Sequence, residues 1–244
     1  MNGGAVNGRL YLVPNTLGDS SVAAVLPPDV CKLAARLDYF IGENAKSTRA
    51  FLKRINEVHV LFKPLQELEI RELNVSTPSQ NLPELLAPLF AGRDGGLVSE
   101  AGCPAVADPG ADLVRLAHEH GITVCPLVGP SSILLALMGS GLNGQSFAFQ
   151  GYLPTGSPER MRRIREIEHR SRHERQTQIF IETPYRNQPL FDALVATCAP
   201  DTLLCIATDL TLPSEVLVTR AASAWRKNPP DLHRRPSIFL LLAR

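Results

Sequence analysis

The chain has 244 residues, 44% of them hydrophobic and 20% charged, with a formal net charge of +1. That is the profile of a soluble globular protein with a proper core, built as one large domain or two of ordinary size. Its longest apolar runs, Ile133–Met138 and Ile238–Ala243, fall far short of the ~20 residues of a membrane span. Met1–Gly8 carries neither the basic segment nor the apolar core of a secretory leader. Five cysteines without a C-x-x-C pair argue for reduced thiols in a cytoplasm and against a disulfide framework or zinc site.

From the N-terminus, apolar runs alternate with helical patterns. Leu10–Val13, Tyr39–Ile41, His59–Phe62, Gly96–Val98 and Ile122–Cys125 read as strands. Between them Val30, Leu33, Ala34 and Leu37 recur at helical spacing, as do Leu85, Leu86, Leu89 and Phe90. Ser47-Thr48 is expected to cap a helix carrying Phe51, Leu52 and Ile55, and Gly121 to close the helix before Ile122. This rhythm predicts an α/β domain over residues 1–141, with a mostly parallel sheet and helices on both faces. In such sheets ligands bind beyond the carboxyl ends of the strands.

Ser140–Ser146, rich in glycine and polar residues, reads as an interdomain linker. A second α/β domain, residues 146–244, follows with strands at Phe147–Gln150, Gln178–Ile181, Leu203–Ala207, Glu215–Thr219 and Ile238–Leu242. A helix is expected around Leu190–Ala196, but only the short candidate Ala221–Lys227 separates the last strands, which implies a mixed sheet. Glu159–Arg175 holds seven arginines and four glutamates. It is either a solvated helix face, with pairs such as Glu166–Arg170, or a phosphate-binding surface through Arg162, Arg163 and Arg170. His118 and His120 cannot face one metal ion from a helix, and His169 and His173 sit in a charged segment without an obvious further ligand. No metal site is expected. There is no G-x-G-x-x-G after the first strand, and no Walker or G-x-S-x-G pattern, which removes support for the common dinucleotide, nucleoside triphosphate and serine hydrolase readings.

The stretch Val98-Ser99-Glu100-Ala101-Gly102-Cys103-Pro104-Ala105-Val106-Ala107-Asp108-Pro109-Gly110 leaves a strand, turns through small residues and prolines, and enters a helix. It resembles V-S-D-A-G-T-P-x-I-S-D-P-G of the tetrapyrrole methylase family, in the branch that 2′-O-methylates a cytidine of small-subunit ribosomal RNA. Four further segments resemble that branch in the same order. They are Leu10–Pro14 with Leu17-Gly18-Asp19, Gly42–Arg49, Pro126–Ser132 with Phe149–Pro154 downstream, and Ile179–Arg186. The first loop is shorter than the branch's, E-D-T-R has become Glu43-Asn44-Ala45-Lys46, and Leu61–Asn81 is unlike its counterpart.

The resemblance implies a two-domain tetrapyrrole methylase fold that holds S-adenosylmethionine in an interdomain cleft. Carried over by position, Ala101, Gly102, Cys103 and Val106 would line the cofactor, with Pro14 and Ser99 beside them. Ser131 and Ser132 would sit at the next strand–helix turn, and Glu182 and Leu210 would contribute from the second domain. Gly102 also reads as a plain turn glycine, Ser131 as a helix cap, and Cys103 as a packing residue. Glu43, Asp19 and Lys46 are candidates for moving the acceptor's proton; Glu43 also reads as a partner for Arg49. Arg49 and Arg186 read as phosphate contacts or as ion pairs. The implied substrate is ribosomal RNA and the implied assembly a homodimer. Methylation of a tetrapyrrole carbon, and a catalytically silent cofactor- or RNA-binding member, are the alternatives.

Overall fold

The computed structural model describes residues 6–244, so the leader reading of Met1–Gly8 falls mostly outside the described residues. The chain divides into two compact units, the first ending at Ser131 and the second running from Ser132 to Arg244.

The first unit contains β1 (Leu10–Leu12), α1 (Val22–Val25), α2 (Pro28–Arg36), β2 (Tyr39–Gly42), α3 (Ala45–Asn56), β3 (Glu69–Glu72), α4 (Leu82–Phe90), β4 (Gly95–Val98), α5 (Ala111–Glu119) and β5 (Val124–Pro126). Its sheet has the order β3-β2-β4-β1-β5, and every pairing is parallel. Successive residues of a strand face opposite sides. Phe40 therefore enters one core with Phe51, Leu52 and Ile55, whereas Tyr39 and Ile41 enter the other with Leu86, Leu89 and Leu113. Both faces are covered, as an all-parallel sheet requires.

Two expectations are corrected here. His59–Phe62 forms no strand; Val60 is 88% and Phe62 67% exposed. The edge strand is Glu69–Glu72 instead, a polar segment that lacks an apolar run because only one of its sides pairs. Its Glu69 binds Arg93, which also binds Asp38. Nor does Ser47-Thr48 cap α3. Asn44 does, its Oδ1 accepting from the backbone N–H groups of Lys46 and Ser47. The Ser47 and Thr48 hydroxyls donate back to the Asn44 carbonyl.

The second unit contains α6 (Ser132–Ser140), β6 (Phe147–Tyr152), α7 (Ser157–Glu174), β7 (Thr177–Ile181), α8 (Asn187–Thr197), β8 (Leu203–Thr208), β9 (Val216–Ala221), α9 (Ala222–Trp225) and β10 (Ser237–Leu242). The sheet order is β6-β7-β10-β8-β9, with β6 and β7 parallel and the remaining pairs antiparallel. Phe180, Phe239, Leu204 and Ile206 form its core with Ile164 and Ile167 of α7 and Leu190 and Leu194 of α8. The division at 131/132 replaces the one read between 141 and 146. Helix α6 packs on β8, β9 and β10, and Thr219 Oγ1 donates to the Ser140 carbonyl at 2.7 Å. Ser140–Ser146 therefore lies within the second unit: its glycines serve a turn, with Gly141 at φ +67°, not a link between units.

Candidate functional site

Because β1, β2, β4 and β5 run parallel, the loops at their carboxyl ends share one edge of the first sheet. The β1 loop is stapled to the β4 loop. Asn15 N–H donates to the Gly102 carbonyl at 2.9 Å, and Asn15 Nδ2 donates to the Ser99 and Glu100 carbonyls at 3.2 and 3.0 Å. Asn15 Oδ1 accepts from Thr16 N–H and from Arg54 of α3, and Arg54 also donates to Thr16 Oγ1 at 2.9 Å. The β5 loop closes on the same group. A Cβ on Gly129 would stand 2.1 Å from Pro14 Cβ, so only glycine permits this approach.

The β4 loop bends sharply. Gly102 lies at φ +68°, and the alanines Ala105 and Ala107 are left-handed too, at +63° and +65°. Each alanine costs roughly 1–2 kcal/mol in that region, so the surrounding contacts must hold the loop in shape. Proline and small side chains leave Ala101 and Val106 exposed while Gly102 and Pro104 are buried. Cys103 is partly buried with Sγ 3.4 Å from the Pro130 carbonyl, and burial raises its thiol pKa. It joins the β4 and β5 loops as a packing residue.

Three carboxylates gather here. Glu43 follows β2 and accepts the Glu100 N–H at 3.2 Å; burial, then the Glu100 charge, raises its pKa. Asp108 is pushed up to about 6 by burial first and by the charges of Glu43 and Glu100. Ser99, 3% exposed, lies near enough to both to offset part of these shifts. Its Oγ nonetheless makes no well-formed hydrogen bond among the described residues. Glu100 accepts from the Ser47 hydroxyl. Beside Asp108 a groove of about 500 Å³ is lined by Leu73, Asn74, Thr77, Ala107 and Pro109, among others.

The structure thus brings together Pro14, Glu43, Ser99, Ala101, Gly102, Cys103 and Val106 on one edge, with Ser131 and Ser132 following the β5 loop. Asp19 is exposed on the β1 loop, and Lys46 and Arg49 are exposed on α3. Glu43 binds the Glu100 backbone rather than Arg49, whose guanidinium lies 3.5 Å from the Ala45 carbonyl. Asn15, Arg54 and Asp108 were missed by sequence reasoning. Only Asp108 carried a signal, as the acid of the Asp108-Pro109-Gly110 turn.

In the second unit, Glu182 follows β7 with a nearly buried side chain. Its Oε1 accepts from Thr183 N–H and from Arg186 at 2.7 Å, while Oε2 has no partner among the described residues. Arg186 is therefore an ion-pair partner of Glu182. Leu210 follows β8, is buried, and lies between Asp209 and Thr211, both at positive φ. On α7, Glu166 pairs with Arg162 at 3.8 Å and Arg163 at 3.3 Å, not with Arg170. Arg163 also donates to Gln150 Oε1 at 2.8 Å. Among the described residues no group of three or more His, Cys, Asp or Glu is placed to hold a metal ion.

No protein-family model matches the chain. It is similar to the ribosomal RNA small subunit methyltransferase I of Escherichia coli O157:H7, 30% identical over 238 residues, covering 96% of this chain and 77% of that protein. The protein of the same name from Streptococcus pyogenes serotype M3 is 31% identical over 205 residues, covering 84% of this chain and 66% of its own length. Among solved structures, the methyltransferase CobJ superposes with a TM-score of 0.63 at 17% identity, covering 97% of this chain and 94% of that one. This last likeness establishes the tetrapyrrole methylase fold.

Proposed function

This chain belongs to the ribosomal RNA small subunit methyltransferase I family, and on that premise we propose that it transfers the methyl group of S-adenosylmethionine to a ribose 2′-hydroxyl of small-subunit ribosomal RNA. The observation that carries the reading is the edge where the β1, β4 and β5 loops are locked together through Asn15 and Gly129 next to three carboxylates. These residues suit the cofactor. A sulfonium and an ammonium outweigh its single carboxylate, so an acidic surround attracts it. The close-packed backbone of Ala101–Val106 offers polar groups without bulky side chains, and the buried Ser99 hydroxyl stands beside Glu43 and Asp108.

When bound, the cofactor supplies an electrophilic methyl group. The chain's own residues then have two tasks, to hold the acceptor oxygen in line and to receive its proton. We assign the second task to the coupled carboxyls Glu43 and Asp108: a carboxylate with a raised pKa accepts protons better near neutrality. Asp19 and Lys46, both exposed, are assigned to the mouth of the site. The assignment of Glu182 and Leu210 to the cofactor rests on the resemblance alone; E182Q with unchanged cofactor affinity would withdraw it.

Arg49 and the exposed arginines of α7, Arg162 above all, are assigned to RNA phosphates, with Arg163 and Arg186 in supporting ion pairs. A salt dependence of binding that R162E leaves unaltered would remove α7 from the interface. A homodimer is part of the same reading, supported by the exposed Leu134 and Met138 of the apolar helix α6 and by Val216 of β9. So is a cytoplasmic location, where a ribosomal RNA acceptor resides. Sedimentation of a single 26.6 kDa species at micromolar concentration would overturn the dimer. The whole function is tested by mass-spectrometric nucleoside analysis of ribosomal RNA from cells with and without the protein. A 2′-O-methylated nucleoside missing from the second sample is expected, and identical profiles would refute the reading.

A further inference from the structure

The segment that differs most from the family pattern also carries an unused surface. Leu61 anchors it by burial and by its N–H donating to Asn56 Oδ1 at 3.0 Å, and Phe62 N–H donates to the Ala35 carbonyl at 2.7 Å. The backbone is thus fixed while the Phe62 ring is 67% exposed. The ring borders a groove of about 320 Å³ lined by Lys53, Asn56, Val60, Lys63 and Leu65, among others. That size is at the lower end of the ~300–1,000 Å³ of small-molecule clefts. The Lys63 ammonium lies 5.9 Å from the Phe62 ring centre, tethered by Asp38.

Lys53 also continues a stripe. Lys46, Arg49 and Lys53 stand at i, i+3 and i+7 on α3, a spacing that places them on one face. All three are exposed, and none has a carboxylate partner among the described residues. At 1.5 Å of rise per residue the stripe covers about 10 Å, close to three stacked nucleotides at 3.4 Å each. It starts at the turn beside Glu43 and ends at the Phe62 groove. A fixed, exposed aromatic ring at the end of a row of unpaired cations is the arrangement that binds a single strand, with bases on the ring and phosphates on the cations.

The geometry points to an RNA-docking track on the first unit, in which an unpaired base stacks on Phe62 and the adjoining phosphates lie on Lys53, Arg49 and Lys46. This rests on the RNA reading above and adds a site to it, 3′ or 5′ of the methylated nucleotide. Charge complementarity selects RNA over an apolar protein segment, because cations border the groove on the α3 side.

The test measures binding of a fluorescein-labelled, unstructured RNA 12-mer to the full chain by anisotropy. F62A is expected to weaken binding about tenfold, and F62W to restore it. K53E is expected to weaken binding and flatten the salt dependence by about one unit. Cofactor affinity should remain unchanged in all three, which shows that they fold. Wild-type binding with F62A and K53E unaffected would overturn the track while leaving the RNA reading intact. No binding of RNA by the wild type would overturn both. Unchanged RNA affinity with a changed sedimentation coefficient for F62A would make the patch a contact between copies, and would also overturn the proposal.

Discussion

Arg54 donates from its guanidinium to Asn15 Oδ1 at 3.0 Å, binding the last turn of α3 to a loop that precedes it by 39 positions. Asn15 in turn holds two carbonyls of the β4 loop. A residue of α3 thereby fixes the shape of the loops to which cofactor binding is assigned. Replacing Arg54 by alanine removes hydrogen bonds to a charged donor, worth roughly 1.5–3 kcal/mol each when formed in a buried setting. The expected result for R54A is a cofactor affinity lower by about tenfold or more together with a lowered Tm. R54K should recover little, since an ammonium cannot span Asn15 and Thr16 as the planar fork does. Calorimetric titration and thermal melting check both statements, and an R54A variant with wild-type affinity would contradict them.

The raised pKa of Asp108, about 6, sets a pH dependence of opposite sign for rate and stability. Activity that needs the ionised carboxyl should rise with pH through about 6 and level off above it. Stability goes the other way. The folded value lies above the ~3.9 of an unfolded aspartate, so the fold favours the neutral acid, and this contribution is lost as pH rises through the folded pKa. D108N should therefore melt higher than wild type at pH 7.5, nearly match it at pH 4, and lose the acidic limb of the rate profile. Melting curves at the two pH values, with a pH–rate profile, measure this.

The second unit has its own keystone. Glu168 of α7 is 8% exposed and accepts from Ala199 N–H at 2.8 Å and from the Thr202 hydroxyl. E168A leaves the Thr202 hydroxyl buried without its acceptor, at roughly 1–3 kcal/mol, and the half-buried Ala199 N–H without its own. In a chain of this size Tm should fall by roughly 2–4 °C per kcal/mol. Cofactor binding by the first unit's loops should persist at low temperature. Differential scanning calorimetry of E168A and E168Q would reveal an unchanged Tm if Glu168 carried no such role.

How much of this was legible depends on the range of the contacts concerned. Tyr39–Ile41 and Gly96–Val98 announce themselves because buried parallel strands are continuous apolar runs, and β4 places the motif loop directly behind it. Glu69–Glu72 does not, because an edge strand can be polar, and the apolar Val60 and Phe62 nearby attract the assignment instead. The Asn44 cap was open to view, but a serine–threonine pair three positions on looked equally suitable. Asn15 and Arg54 are ordinary polar residues in sequence; their role exists only once the sheet order brings the β1 loop beside β4 and α3 beneath both. The same holds for Glu166, whose choice between arginines at i−3, i−4 and i+4 is settled by rotamers that no spacing rule contains.

The claim on which the rest stands is that the carboxyl-edge loops of the first unit bind S-adenosylmethionine. Gly102 lies at φ +68°, and a Cβ there would meet Leu17 at 3.1 Å and the Pro130 carbonyl at 3.4 Å, so a valine would strain the loop and fill the space above it. Titration calorimetry of the wild type and G102V against the cofactor is the direct measurement, with circular dichroism melts to show that both fold. The account expects a saturable 1:1 isotherm for the wild type, lost in the folded variant. No heat from the wild type at millimolar cofactor, or an isotherm that G102V leaves unchanged, would contradict it.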